Sequence, residues 1–112
     1  MEIKTYQKEI DNWIKEFGVR YFDVKTNTIL LMEELGEFSR LVARLHGEQS
    51  FKSKIDEQKA KENLKEEIAD IYFVLTCLAN QLEVDLESVV LENLKKKTTR
   101  DKDRHKNNPK LQ

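Results

Sequence analysis

Two short acidic segments carry the residues best suited to chemistry. They are an EExxE pattern at residues 33–37 and an ExxD pattern at residues 67–70. At about 100° of rotation per residue, Glu34 falls in the middle of the apolar stripe of its helix, and Glu67 does the same on the next helix. Glu37 and Asp70 lie at the edges of these stripes. Each segment therefore directs an i, i+3 pair of carboxylates toward the protein core.

Four carboxylates that face one another need a neutralising partner. Two carboxylates about 4 Å apart repel by roughly 4 kcal/mol at an effective dielectric constant near 20. No Lys or Arg lies in the apolar stripe beside either pair, so a divalent cation is the simplest partner. Ligands that are all oxygen favour a hard ion, which predicts Mg²⁺, with Mn²⁺ as the alternative. In the competing interpretation, Glu34 and Glu67 lie at the margin of the apolar face of their helices and reach water.

The composition favours one all-α domain that can position these groups. A chain of 112 residues is long enough for a single core. Three glycines and one proline leave little material for the turns of a sheet. We expect an antiparallel bundle of about four helices, completed by oligomerisation, with residues 1–106 as the domain and residues 107–112 as a frayed tail.

The apolar periodicity and the capping residues predict where the helices begin and end. The expected helices are at about residues 3–17, 26–47, 57–82 and 86–104. Thr26 or Asn27 is the expected N-cap of the second helix, and Asp85 that of the fourth. Trp13 belongs to the apolar stripe of the first helix, so we expect it to pack in the core rather than to stack on a ligand.

The chain has no segment of the kind that spans a membrane or forms a disulfide. Its longest apolar run is four residues, 29–32, which is far too short to cross a bilayer. Cys77 is the only cysteine, which excludes an internal disulfide and a cysteine-based zinc site. No apolar signal segment follows Met1. A reducing, cytoplasmic setting is the expected location.

The C-terminal segment is strongly basic, although the net charge of the chain is only −1. Residues 95–112 carry eight Lys or Arg and two Asp, so the rest of the chain is acidic. Asn93, Lys97, Arg100 and Arg104 recur at steps of four, three and four residues, and therefore share one helix face. This face could hold phosphate groups near the metal, or it could simply be solvated.

Two other classes of protein compete with a metal-dependent enzyme. A ferritin-like di-iron protein requires Glu-x-x-His on two helices, and neither carboxylate pair has such a histidine. A non-enzymatic helical module could bind nucleic acid or a protein partner through the basic C-terminal helix. That interpretation leaves Glu34 and Glu67 without an explanation.

The two acidic patterns, each set inside an apolar stripe, resemble those of the MazG-like all-α nucleoside triphosphate pyrophosphohydrolases. The matching segments are LLMEELGEFSRLVAR and LKEEIADIYFVLTCLANQ. The similarity extends from Trp13 and the GVRYF segment to RDKDRHKNNPKL. The motifs do not specify which base or sugar the substrate carries.

The resemblance implies a reaction, a set of site residues and an assembly. The implied reaction is Mg²⁺-dependent hydrolysis of nucleoside triphosphates to a nucleoside monophosphate and pyrophosphate, in nucleotide-pool housekeeping. The implied metal ligands are Glu34, Glu37, Glu67 and Asp70. Glu33, although rotated about 100° from Glu34, would ligate or orient the attacking water. Asn93, Lys97 and Arg100 resemble the family's Asn-containing basic helix only loosely. Members of the family form homodimers or homotetramers.

Overall fold

A computed structural model describes all 112 residues and consists of helices alone. The helices are α1 (Ile3–Phe17), α2 (Val24–His46), α3 (Lys54–Gln81) and α4 (Leu86–Lys106), followed by a short 3-10 helix, Pro109–Leu111. The expected all-α fold with four helices is therefore confirmed. The 3-10 helix lies inside the segment expected to fray, and the domain limits at residues 1–106 stay a prediction.

The expected starts of α2 and α3 were wrong because each helix uses an earlier cap. Asp23 caps α2, and its Oδ1 accepts a hydrogen bond from the Thr26 backbone N–H at 2.8 Å. Ser53 caps α3 in the same way, with its hydroxyl oxygen 3.2 Å from the Asp56 backbone nitrogen. Asp85 caps α4 as expected, and α4 continues two residues past Arg104 to Lys106. Side chains of this kind satisfy backbone N–H groups of the first turn and so favour a helix start directly after them.

The α2 and α3 helices form an antiparallel hairpin. At one end of the hairpin, the Asn27 side-chain amide donates to the Gln81 side-chain carbonyl at 2.8 Å. At the other end, Leu41 and Ala60 line the same cavity. Residues that lie far apart in the sequence, such as those near 34 and 67, are therefore brought side by side in the middle.

The α1 helix packs across the C-terminal half of α3. Ile10 and Ile14 of α1 are buried against Cys77, and Tyr6, Tyr21 and Phe73 pack around them. Contrary to expectation, Trp13 lies outside this core, with 48% of its surface exposed. Its ring meets Phe73 edge-on, with the ring centroids 5.9 Å apart.

A polar network joins α1, α3 and the start of α4. The Asn80 amide donates to the Gln7 backbone carbonyl and to the Tyr21 hydroxyl, both at 3.0 Å. The Gln7 side chain donates to the Val84 carbonyl at 2.8 Å and accepts from the Leu86 N–H at 2.9 Å. Gln7 thereby satisfies two backbone groups at the turn into α4 and fixes where α4 begins.

Beyond its first turns, α4 leaves the body of the chain. Its substantial contacts are with α1 alone, and residues 88–100 are all exposed. The chain has an accessible surface of 9203 Å², whereas a compact monomer of its mass exposes about 6,500 Å². Its radius of gyration is 18.0 Å, against about 13 Å for a compact domain of this length. One chain by itself is open rather than compact and leaves much apolar surface uncovered.

None of the helices combines the length and the apolar character that crossing a membrane requires. The cytoplasmic location expected from the sequence stays a prediction.

The network around Asn80 gives a stability prediction. Asn80→Ala removes the amide that donates hydrogen bonds to Gln7 and Tyr21. It should lower the free energy of unfolding by about 1–3 kcal/mol, because these half-buried partners lose their hydrogen bonds. Urea unfolding followed by circular dichroism measures this loss. Asn12→Ala is the matched control, since Asn12 is an exposed helical asparagine. Equal stability of the two variants would show that the network contributes nothing.

Candidate metal centre in the α2–α3 groove

The antiparallel hairpin brings the two acidic segments together. Glu34 lies in the middle of α2 and Glu67 in the middle of α3. One carboxylate oxygen from each of Glu34, Glu67 and Asp70 lies within 4.8 Å of the other two. Glu34 and Glu67 are half-buried, whereas Asp70 is exposed. The site therefore opens to solvent on the Asp70 side.

The buried side of this cluster has unsatisfied oxygens. Glu34 Oε2 and Glu67 Oε2 are both inaccessible to solvent and have no hydrogen-bond partner. The ion pairs of the chain involve only Asp11 and Asp101 as acids, so no Lys or Arg neutralises the cluster. Buried polar atoms without a partner are rare in proteins and call for an explanation.

The carboxylates also perturb one another. The contact with the Glu34 carboxylate, burial and the contact with Glu37 raise the pKa of Glu67 to about 8. Like charges that share a site oppose ionisation of the second group. In the absence of a cation, the cluster therefore retains a proton at neutral pH.

These residues fit a hard divalent cation. The donor set is all carboxylate oxygen, which suits Mg²⁺ or Mn²⁺ rather than a softer metal. A bound cation would coordinate the two oxygens that lack a hydrogen-bond partner. It would also offset the repulsion between the carboxylates, which is the reason the cluster keeps a proton. A merely solvated margin, the competing interpretation from the sequence, does not account for two oxygens that water cannot reach.

The structure separates the expected ligands into a cluster and an edge. Glu34, Glu67 and Asp70 form the cluster. Glu37 is exposed and lies close enough to Glu67 to raise its pKa, so it borders the site. Glu33 is exposed and lies outside the cluster, in keeping with its rotation along α2. Its expected role with the attacking water is not established by this arrangement.

Within one chain, α4 does not join this site. Asn93, Lys97 and Arg100 are all exposed, and the depressions around them are lined by α4 residues alone. The Arg100 guanidinium pairs with its neighbour Asp101 at 2.8 and 3.0 Å, and this contact lowers the pKa of Asp101. Periodicity correctly placed these residues on one face of a helix, but it could not tell what that face meets.

A group of basic residues near the hairpin loop escaped the sequence reasoning. An open cavity of about 360 Å³ lies between α2 and α3 at this end, and Arg44, Lys52 and Lys59 line it. These residues belong to two helices and a loop and form no local motif. They lie about two helical turns from the acidic patterns on each helix of the hairpin, and this spacing is the only signal that could have identified them.

The helical fold is that of solved MazG-family structures. Residues 22–105 match the model of the MazG nucleotide pyrophosphohydrolase domain, which covers most of the chain. The chain therefore belongs to this family and is a hydrolase that acts on the pyrophosphate bonds of nucleotides. The alternative of a non-enzymatic helical module is not supported.

Three comparisons with relatives agree with this assignment. Over 102 residues the chain is 40% identical to the uncharacterised protein YpjD of Bacillus subtilis strain 168, covering 91% of this chain and 88% of YpjD. The crystal structure of YpjD, described as a candidate pyrophosphatase, superposes with a TM-score of 0.74 at 38% identity, covering 90% of this chain and 97% of that one. A Bacillus-conserved MazG protein described as a nucleotide pyrophosphohydrolase superposes with a TM-score of 0.72 at 35% identity, covering 92% and 96% of the two chains.

The perturbed cluster predicts how stability depends on pH when metal is absent. The pKa of Glu67 is about 8 in the folded state and has an ordinary value of 4.5. Between these values the folded state binds more protons than the unfolded state, so the free energy of unfolding falls as pH rises. Urea unfolding in EDTA at about pH 5 and about pH 8 measures the difference.

The matched variants isolate the contribution of Glu67. Glu67→Gln cannot ionise and should flatten this pH dependence, whereas Glu62→Gln, at an exposed position of α3, should leave it unchanged. A wild-type slope retained in Glu67→Gln would contradict the assignment.

Proposed function

We propose that the protein is a Mg²⁺-dependent enzyme that hydrolyses nucleoside triphosphates and deoxynucleoside triphosphates to a nucleoside monophosphate and pyrophosphate. Its role would be housekeeping of the nucleotide pool. The observation that carries this proposal is the pair of buried, unpartnered oxygens on Glu34 and Glu67, next to Asp70. The family membership supplies the nucleotide and the pyrophosphate bond.

Each residue of the centre has a distinct part in this proposal. Glu34, Glu67 and Asp70 would hold Mg²⁺, with Mn²⁺ as the alternative, and Glu37 would complete the set from the edge. When bound, the cation supplies positive charge to the phosphates and promotes ionisation of water. Phosphoryl transfer otherwise depends mainly on positioning and electrostatic stabilisation. Exposed Glu33, one residue from Glu34, is the candidate to orient the attacking water.

The ligand assignment predicts that single neutral substitutions abolish activity. Glu34→Gln and Glu67→Gln should each lower Mg²⁺-dependent pyrophosphate release by more than about 100-fold, since even residues that only support metal ligands cost 10–100-fold. The assay uses a panel of canonical and modified nucleoside triphosphates. In the same proteins, the melting temperature without metal should rise, because one repelling carboxylate is gone.

Glu62→Gln serves as the control for a general effect of charge and should retain wild-type activity. Full activity in Glu34→Gln or Glu67→Gln would remove these residues from the metal site.

We further propose that the working enzyme is a homodimer or homotetramer in which α4 of one subunit reaches the site of another. The excess surface of the single chain supports association, as do exposed apolar residues on α2 and α3 such as Met32, with 65% of its surface exposed, and Ile68, with 55%. A stable interface typically buries about 1,600 Å², well within the excess that the chain exposes.

The pattern along α4 suits such a contact. Exposed Val89 and Val90 occupy its first half, and Lys97 and Arg100 follow on the same side, all within about 60° of Asn93. Docking of the apolar half on another subunit would carry the basic half toward an acidic surface. Charge complementarity of this kind guides association and fixes orientation. Asn93, Lys97 and Arg100 are accordingly proposed as substrate-binding residues supplied in trans.

A complementation experiment tests the shared site. Lys97→Ala and Arg100→Ala should each lower kcat/KM by about 10- to 150-fold through loss of a charge-assisted contact. The tail variants Lys106→Ala and Lys110→Ala should have almost no effect. Glu34→Gln and the double variant Lys97→Ala/Arg100→Ala, each inactive alone, should recover about a quarter of wild-type activity when randomly mixed as dimers.

Two results would remove this part of the proposal. Mixtures no more active than the two variants alone would show that the basic residues do not act across subunits. A fully active monomer at micromolar concentration, seen by light scattering, would remove oligomerisation itself.

A further inference from the structure

The cavity at the loop end of the α2–α3 hairpin is lined by more basic than acidic side chains. Arg44 of α2, Lys52 of the loop and Lys59 of α3 line it, with Asp56 as the only acidic residue. None of the three basic side chains forms an ion pair or donates a hydrogen bond within the chain. Three basic groups against one acidic group leave the cavity with a net positive charge, which favours binding of an anion.

This loop-end cavity lies beyond the carboxylates along the same two helices. Arg44 follows Glu37 by seven residues, which places it on the same side of α2 and about 10 Å further along. Asn63, which also lines the cavity, precedes Glu67 by one turn of α3, or about 6 Å. Because the two helices are antiparallel, both displacements point from the metal centre toward the loop.

The groove is asymmetric in charge on the two sides of the metal centre. Toward the loop it presents Arg44, Lys52 and Lys59. Toward the opposite end, residues 71–81 of α3 contain no basic residue, and residues 24–33 of α2 contain only Lys25. A triphosphate is similarly asymmetric, since its terminal phosphates carry most of the charge and its nucleoside carries none.

We propose that the loop-end cavity binds the β- and γ-phosphates of the substrate, the part that leaves as pyrophosphate, through Arg44, Lys52 and Lys59. This inference rests on the proposed function and adds a direction to it: the nucleoside points away from the hairpin loop. The scissile bond lies at the carboxylates and the leaving group lies over the cations. Asn63, placed between the two, offers a neutral amide to the same phosphates.

Direct binding of inorganic pyrophosphate tests the cavity without requiring turnover. Isothermal titration of the full chain with pyrophosphate in Mg²⁺ compares wild type, Arg44→Gln, Lys59→Gln and Lys61→Gln. Lys61 is the matched control, because it lies two residues from Lys59 and is rotated about 200° to another side of α3. Arg44→Gln and Lys59→Gln should each raise the Kd for pyrophosphate by about 10- to 150-fold, whereas Lys61→Gln should leave it near the wild-type value.

Two further measurements separate this inference from damage elsewhere. The Kd for a nucleoside monophosphate and the Kd for Mn²⁺ should stay at the wild-type value in Arg44→Gln and Lys59→Gln, because neither the nucleoside subsite nor the metal centre is altered. Loss of nucleoside monophosphate binding with unchanged pyrophosphate binding would overturn the inference, since the nucleoside would then occupy the loop end. Effects in Lys59→Gln no larger than in Lys61→Gln would also overturn it.

Failure of the inference differs from failure of the proposed function. If the wild type releases pyrophosphate from triphosphates but the variants bind pyrophosphate normally, only the cavity assignment is wrong. In the opposite case, the wild type hydrolyses no triphosphate, while Arg44→Gln and Lys59→Gln bind pyrophosphate more weakly than the wild type does. The cavity is then an anion site and the proposed reaction is wrong.

Discussion

The mutual repulsion of Glu34 and Glu67 across the α2–α3 interface is the constraint on which the rest of the structure depends. With both groups ionised, two carboxylates about 4 Å apart would oppose pairing of the helices by roughly 4 kcal/mol at an effective dielectric constant near 20. That is a large share of the 5–15 kcal/mol that typically stabilises a domain. Without a cation, this repulsion is avoided only because the cluster retains a proton. The hairpin nevertheless holds their inner oxygens out of water and without partners. In the proposed function, a bound cation relieves this unfavourable cluster.

The remaining elements hold the hairpin in the register that this cluster requires. Ile10 and Ile14 pack α1 against α3 at Cys77. A hydrogen bond between the Asn27 and Gln81 side chains joins the two helices of the hairpin at the same end. The polar network through Gln7 and the helix caps add fixed points that apolar packing alone would not supply. With so few buried residues, a single chain depends heavily on these contacts, and covering its exposed apolar surface by association would strengthen the same framework.

The sequence predicted those features that depend on helical phase. The positions of Glu34 and Glu67 inside apolar stripes correctly indicated that they would face each other, because i, i+3 and i+4 spacing determines which side chains share a helix face. The starts of α2 and α3 were missed because Asp23 and Ser53 cap them outside the periodic segment. Phase also could not reveal that α4 leaves the hairpin, or that Arg44 and Lys59 line one cavity. Those arrangements depend on the antiparallel register and on contacts between helices.

Anomalous diffraction from crystals grown with Mn²⁺ tests the central claim most directly, because it locates the cation independently of any activity. The account predicts a strong anomalous peak among the carboxylates of Glu34, Glu67 and Asp70, within coordination distance of the two oxygens that lack partners. Crystals saturated with Mn²⁺ that show no peak there, or show the peak only at other acidic residues, would contradict it.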